Sequence, residues 1–150
     1  MASVAKPGRT RFTESHARLS SQLALLADAS RDGDRSALAV HSRVIASELL
    51  RHLEAEEEHL LPKFRSVNAS EAARLDADHD SIRALLAKVQ RQAEQGALRP
   101  ESVESLASAL RSHDAREEKM LYPWAESRLL GWVWSKASNR LAPQSARRKP

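Results

Sequence analysis

The sequence predicts an all-α protein that folds as an antiparallel up-down four-helix bundle. Three observations support this prediction. Apolar residues recur at helical spacing through most of the 150 residues, the interruptions carry Gly or Pro, and no segment shows the alternation typical of a β-strand. The helical segments span about 18 to 30 residues and the connections are short, so consecutive helices are expected to pack side by side in opposite directions.

The first two predicted helices flank a Gly-containing break at residues 31–34. The first helix is expected to begin near Thr13, a residue type that caps helix N-termini, and to end near Ser30. The second begins near Ser36 and keeps its helical period until Pro62. Both helices then offer one apolar face to a shared core.

The third and fourth predicted helices are separated by a second Gly- and Pro-containing break. The third is expected over residues 70–95, because Gly96 is a suitable C-terminal stop. Pro100 suits the first turn of the fourth helix, which should run without interruption to about Leu129 before Gly131 ends it.

Charge divides the chain into a body and two basic tails. Residues 1–12 and 136–150 carry eight of the 24 basic residues and no acidic residue, so residues 13–135 carry 16 basic and 20 acidic residues. We expect a mildly acidic bundle over residues 13–135 and solvated tails; binding of the tails to an acidic partner is the alternative, and binding to nucleic acid is not favoured because no nucleic-acid motif is present. Residues 132–137 include two tryptophans and predict a short extra helix packed on the bundle, or alternatively an interface.

Composition excludes several classes of protein and site. No apolar run approaches the roughly 18 residues that a membrane span requires, and the first twelve residues lack the apolar part of a signal peptide, so a cytoplasmic protein is expected. Cysteine is absent, which excludes disulfides, thiolate metal sites and thiol nucleophiles. Any bound metal ion must therefore be held by nitrogen and oxygen atoms.

Two segments of the chain repeat one another. Residues 52–62 and 113–123 both read H-x3-E-E-x2-L-x-P. On a helix the first His and the first Glu lie on one face, about 40° apart around the axis. A further His precedes each segment by 36 and 34 residues. The repeated pattern thus predicts a site for a pair of metal ions, built from His16, His52, Glu56, His79, His113 and Glu117.

The order and spacing of these residues resemble the hemerythrin-like family, also called the HHE cation-binding domain, over roughly residues 13 to 130. The resemblance implies a hemerythrin-like bundle in which His16 and His52 bind one iron ion, and the remaining two histidines bind the other. By the same resemblance Glu56 and Glu117 bridge two non-haem iron ions, which share an oxo or hydroxo group and keep a position open for a small ligand. Zinc is an alternative, because imidazole and carboxylate ligands also suit it.

Three residues near the repeated segments are candidates for supporting the ligands. Arg83 stands where the oxygen-carrying hemerythrins have another His, which argues against reversible oxygen carriage; it is expected either to face a carboxylate or anion, or to be exposed. Glu48 lies one turn before His52 and could hydrogen-bond a ligand imidazole. His59 is expected in the core or beside the ligands, because it lies on the same helical face as His52 but about 10 Å along the axis.

Other polar residues of the repeats are expected to take no part in metal binding. Glu57, Glu58 and Glu118 are expected to be solvated charges on the helix faces. Tyr122, about 180° from His113 on a regular helix, is expected to face away from the metal ions unless Pro123 distorts the helix.

Three functions are consistent with such a site. The first is a di-iron protein that binds or senses dioxygen, nitric oxide or peroxide. The second is a di-iron enzyme that decomposes hydrogen peroxide or oxidises ferrous iron, and the third is an iron store or metal sensor. A sensor would need a partner protein, because no separate output domain is recognised in the sequence.

Overall fold

The computed structural model describes residues 7–129 and 131–141, and the prediction of an all-α helical bundle is confirmed. These residues form no strand, and none of their helices is long and apolar enough to cross a membrane. The α-helices of the described residues are α1 (Pro7–Asp32), α2 (Arg35–His59), α3 (Leu61–Arg65), α4 (Ala69–Glu94), α5 (Pro100–Arg116), α6 (Tyr122–Arg128) and α7 (Gly131–Arg140), and a π-helical turn (Glu117–Leu121) joins α5 to α6.

The four long helices α1, α2, α4 and α5 surround a common core. Helix α2 packs between α1 and α4, and α5 packs between α4 and α1. Leu26, Ile45, Leu49 and Leu106 lie in this core with no exposed surface. The link between α1 and α2 is tight, because Gly33 adopts a left-handed φ of 70° that an L side chain would disfavour.

A second apolar cluster lies at one end of the bundle, where α7 packs against α1 and α2. Phe12 of α1 is fully buried there beside Trp134 of α7, whose indole Nε1 donates a hydrogen bond to the Ala125 carbonyl at 3.2 Å. Gly8 permits this approach, because a Cβ at that position would lie 2.6 Å from the Trp134 ring. Trp134 thus packs in the core, whereas Trp132 is 57% exposed.

The predicted start of the first helix at Thr13 is wrong. Helix α1 begins at Pro7, and Thr13 lies inside it, where its hydroxyl donates to the Thr10 carbonyl at 2.9 Å. The earlier start buries Phe12, which a solvated tail would leave in water. Residues 7–12 and 136–140, which were expected in the basic tails, are therefore helical. The rest of the two tails, residues 1–6 and 142–150, lies outside the described residues.

The prolines that close the two repeats have different structural effects. In the first repeat α2 ends at His59, and Pro62 stands in the first turn of the short helix α3. In the second repeat the chain continues through the π-helical turn, in which the Tyr122 amide donates to the Glu117 carbonyl five residues earlier. The predicted uninterrupted fourth helix is wrong in this detail. A π turn accommodates Pro123, which lacks an amide hydrogen and crowds the preceding turn of a regular helix.

Candidate metal centre

Six buried side chains converge inside the bundle from four helices and the π-helical turn. They are the six that the repeated sequence pattern singles out: His16 on α1, His52 and Glu56 on α2, His79 on α4, His113 on α5 and Glu117 in the π-helical turn. Each is at most 7% exposed. Helical spacing aims His52 with Glu56, and His113 with Glu117, into the same space.

The histidines form two pairs. Nε2 of His16 lies 3.1 Å from Nε2 of His52, and Nε2 of His79 lies 3.1 Å from Nε2 of His113. Each pair joins the leading His of one repeat to the His of the repeated segment. Two imidazole nitrogens so close together require a proton or a metal ion between them, because their lone pairs would otherwise repel each other.

The two carboxylates lie between the histidine pairs. Glu56 Oε1 is 3.3 Å from Nε2 of His52 and 3.6 Å from Nε2 of His79. Glu117 Oε1 is 3.2 Å from Nε2 of His113 and 3.5 Å from Nε2 of His16. Each carboxylate thus reaches one histidine of either pair. This is the arrangement that a ligand bridging two ions requires.

The donor atoms divide into two groups that could each hold a cation. The first group consists of His16, His52 and Glu117. The second consists of Glu56, His79, His113 and Glu117. Within each group the donor atoms lie within 4.8 Å of one another, and Glu117 belongs to both.

The outer nitrogen of each of the four converging histidines has a hydrogen-bond partner. Nδ1 of His79 lies 2.9 Å from Glu57, Nδ1 of His113 lies 3.0 Å from Asp78, and Nδ1 of His16 lies 3.4 Å from Glu118. These carboxylates accept from Nδ1–H, so the tautomer they favour leaves the inner Nε2 free to bind a metal ion. Nδ1 of the remaining His52 lies 2.9 Å from the Ser15 hydroxyl.

These supporting contacts follow the repeat. The second Glu of each repeated segment contacts the leading His of the other half: Glu57 contacts His79, and Glu118 contacts His16. The expectation that these two glutamates are only solvated charges is therefore wrong. The signal in the sequence was their recurrence in both copies: each directly follows the first Glu of its repeat, so a helix turns it toward the neighbouring helix.

Arg83 supports the centre indirectly. Its guanidinium forms two hydrogen bonds with Glu57, at 2.8 and 2.5 Å, and Glu57 in turn contacts His79. Arg83 therefore faces a carboxylate, which is one of the two arrangements expected from the sequence. Burial raises the pKa of Glu57, but the hydrogen bonds from Arg83 and His79 outweigh it and lower that pKa below its ordinary value.

Tyr122 faces the centre. The sequence predicted that it would face away unless the helix was distorted near Pro123, and the helix is distorted there. The π-helical turn brings Tyr122, five residues after Glu117, to the same side of the helix as Glu117. The Tyr122 side chain is fully buried. Its phenol oxygen lies 3.0 Å from Glu56 Oε2 and 3.1 Å from Nε2 of His16. The phenol oxygen therefore lies among the inner atoms of the candidate ligands.

Asp114 is a further residue that the sequence reasoning missed. Its Oδ1 lies 3.3 Å from Nε2 of His16, on the side of the first donor group. Burial raises the pKa of Asp114 to about 6, although the neighbouring His16 acts in the opposite direction. Its position next to His113 in the sequence carried no signal, because adjacent helical residues point about 100° apart.

Two other candidates lie outside the centre. Glu48 pairs with Arg18 at 2.6 Å instead of hydrogen-bonding a ligand imidazole. His59 lies 3.8 Å from Glu58, and its side chain is 18% exposed. Glu48 therefore lacks the contact expected for it, and His59 is only partly buried.

The electrostatics of the cluster fit a bound cation. Burial and the charge of Glu117 raise the pKa of Glu56 well above its usual range. Burial acts in the same direction on Glu117, but His113 and further hydrogen bonds lower its pKa well below the usual range. Burial lowers the pKa of His113, yet Glu117 and Asp78 raise it to about 9. Protons must therefore be shared among these groups unless metal ions supply the positive charge.

One oxygen atom of each of the two buried carboxylates lacks a hydrogen-bond donor within the described part of the chain. Glu56 Oε1 and Glu117 Oε2 are buried and accept no hydrogen bond from the residues that the structure describes. A buried carboxylate oxygen without a donor is costly, and a metal ion removes that cost. The donor set is nitrogen and oxygen only, which suits iron, zinc, copper or nickel.

Comparison with known proteins places the chain in a family. No curated protein and no solved structure gives a significant match. The sequence pattern of the family described as "Hemerythrin HHE cation binding domain" matches residues 8–125, which include all six converging side chains. The chain therefore belongs to the hemerythrin HHE family, a cation-binding domain.

Proposed function

We propose that this protein is a non-haem di-iron protein that binds or senses a small molecule such as dioxygen, nitric oxide or peroxide. The observation that carries the proposal is the pair of donor groups that share a buried carboxylate. One group would hold one ion through His16 and His52, and the other would hold the second ion through His79 and His113, with Glu56 and Glu117 bridging. An oxo or hydroxo group would complete the bridge.

Iron in such a site supplies redox chemistry and an open coordination position for a small ligand. The protein contributes the geometry, because hydrogen bonds to Nδ1 orient the imidazoles. The six side chains are at most 7% exposed, so bulk water is excluded from the donor atoms. Zinc in the same position would leave a metal-binding protein without redox function. Metal identity is therefore the first quantity to measure.

A cavity between α1 and α5 has room for a small ligand. It has a volume of about 190 Å³, and His16 and Asp114 are part of its lining. Leucine, valine and alanine side chains, including Leu23 and Ala107, form much of its wall. That volume accommodates a diatomic molecule or peroxide with a few water molecules, since one water occupies about 30 Å³ in the liquid.

The surroundings of the centre favour reaction over reversible oxygen carriage. Arg83 stands where the carriers have another His, and it binds Glu57 instead. On the other side, Asp114 places a carboxyl group 3.3 Å from His16 Nε2. Such a group can deliver protons to a bound ligand, which peroxide turnover requires and oxygen storage does not. A peroxide-decomposing enzyme is therefore the second candidate.

Metal analysis of the purified protein tests the proposal. After anaerobic iron loading we expect about two iron ions per chain and near-ultraviolet oxo-to-iron bands on exposure to air. We also expect rapid autoxidation of the diferrous protein. A protein that holds no iron, or zinc in preference to iron, would contradict the di-iron proposal.

Repeated oxygenation separates the functional candidates. A stable adduct that forms and dissociates over several gas cycles would restore the carrier interpretation. Peroxide turnover that disappears in His113→Ala but persists in Glu48→Gln would favour the enzyme, because His113 is a proposed ligand and Glu48 pairs with Arg18 outside the centre.

A further inference from the structure

We propose that Tyr122 is itself a metal ligand, which binds through its phenolate oxygen to the ion held by His16 and His52. This inference rests on the proposed di-iron function and adds a residue that the repeated sequence pattern does not contain. It makes the two ions chemically different, because the equivalent position of the first repeat is occupied by Leu61, whose side chain offers no donor atom.

The surroundings of the phenol oxygen support this role. Four potential acceptor atoms surround it: Glu56 Oε2 at 3.0 Å, His16 Nε2 at 3.1 Å, Glu117 Oε1 at 3.3 Å and His52 Nε2 at 3.5 Å. These four residues are the proposed ligands nearest to the first ion. The phenol oxygen therefore lies where the inner atoms of the ligands converge, and not at their periphery.

A hydroxyl group alone does not satisfy this environment. The phenol has one hydrogen and can donate it to one acceptor at a time. The other acceptor atoms would then direct lone pairs at the lone pairs of the phenol oxygen, inside a fully buried site. A cation in contact with the oxygen removes this repulsion. Binding breaks the O–H bond, the proton leaves to solvent, and the oxygen donates an electron pair to the ion without any change of oxidation state.

The backbone fixes the phenol in this position. The π-helical turn ends at Leu121, and Tyr122 donates its amide hydrogen to the Glu117 carbonyl. The Tyr122 ring also packs against Phe12 and Trp134, at ring-centroid distances of 5.4 and 6.4 Å. A side chain held from two sides is preorganised for its partner, so little conformational freedom is lost when a metal ion binds.

Spectroscopy of the ferric protein tests the assignment directly, because Tyr122 is the single tyrosine in the sequence. A phenolate bound to iron(III) gives a visible charge-transfer band, and excitation in that band enhances tyrosine ring vibrations in the resonance Raman spectrum. We expect both signals in the wild-type protein. Their absence from wild-type protein that contains two iron ions would overturn the assignment, whatever the behaviour of variants.

The variant Tyr122→Phe provides the matched comparison, because it retains the ring packing. We expect it to keep its iron, to lose the visible band and to release about one proton fewer per chain when iron binds. If Tyr122→Phe folds poorly, Tyr122→Leu restores the residue of the first repeat and should behave in the same way. An unchanged band in either variant would overturn the inference.

The outcomes distinguish this inference from the proposed function. Two iron ions without a phenolate band would leave the di-iron function intact and assign Tyr122 as a hydrogen-bond donor to Glu56. Failure of the wild-type protein to bind iron would overturn both. Retention of the oxo-to-iron bands in Tyr122→Phe is expected, because those bands arise from the bridge between the ions.

Discussion

Replacement of Glu57 by Gln should weaken metal binding at the second donor group. Glu57 lies 2.9 Å from Nδ1 of His79 and is held by two hydrogen bonds from Arg83. Gln retains the shape but removes the negative charge that makes the inner nitrogen of His79 a better donor. Loss of such a supporting carboxylate typically lowers metal affinity about 10- to 100-fold, or about 1.4 to 2.7 kcal/mol.

Glu118→Gln is the matched control from the other repeat. Glu118 contacts His16 at 3.4 Å, and its side chain is 46% exposed, so water screens its charge. We expect a loss of less than about 1 kcal/mol, or about fivefold. The two variants therefore make the same chemical change at equivalent positions and differ in burial, in the distance to the histidine and in the presence of Arg83.

Competition with a chelator measures the difference. Iron content is followed against increasing chelator concentration, and the release of one of the two ions should shift to lower chelator concentration in Glu57→Gln. The second ion should be released near its wild-type concentration. Equal shifts in the two variants, or no shift in Glu57→Gln, would refute the reasoning that Glu57 strengthens one position through His79.

Three further predictions concern the ligands, the end of the bundle and the cavity. His52→Ala should lower both metal content and Tm, whereas the partly exposed His41→Ala should change neither; equal losses in elemental analysis and thermal melts would mean that the site is misplaced. Phe12→Ala should lower the free energy of unfolding in urea by about 3 to 5 kcal/mol, because the ring is fully buried; a loss under 1 kcal/mol would contradict its place in the core. Ala107→Phe should slow nitric oxide association in stopped-flow measurements by obstructing the cavity, whereas Ala39→Phe, which lines a different cavity, should not; equal rates would exclude this route.

Helical periodicity accounts for what the sequence predicted well. The spacing of apolar residues indicated the four long helices, and the H-x3-E spacing indicated which side chains would share a face. Convergence of His16 with His52 across two helices required only that α1 and α2 pack side by side, which their tight connection ensures. The six converging residues could thus be predicted from the sequence.

The residues that were missed depend on departures from that regular helix or on tertiary contacts. Tyr122 could not be placed from spacing alone, because five residues in π-helical geometry change its direction. Helical periodicity places Glu57 and Glu118 on faces that point away from the core. Only the packing of the neighbouring helices shows that Glu57 reaches His79 and that Glu118 reaches His16. The start of α1 at Pro7 does not follow from local spacing, because Phe12 is buried by α7, which is remote in sequence.

The crosswise contacts of Glu57 and Glu118 have a consequence for the internal symmetry of the chain. Each half uses its glutamate to support a histidine of the other half, which is the reciprocal contact that defines an isologous dimer. The two halves therefore meet through the kind of reciprocal contact that two helical hairpins related by a two-fold axis would make, although both belong to one polypeptide. In a true homodimer every residue near the axis would occur twice. Fusion of the halves permits an asymmetric centre, with Tyr122 opposite Leu61 and Asp78 opposite Ser15.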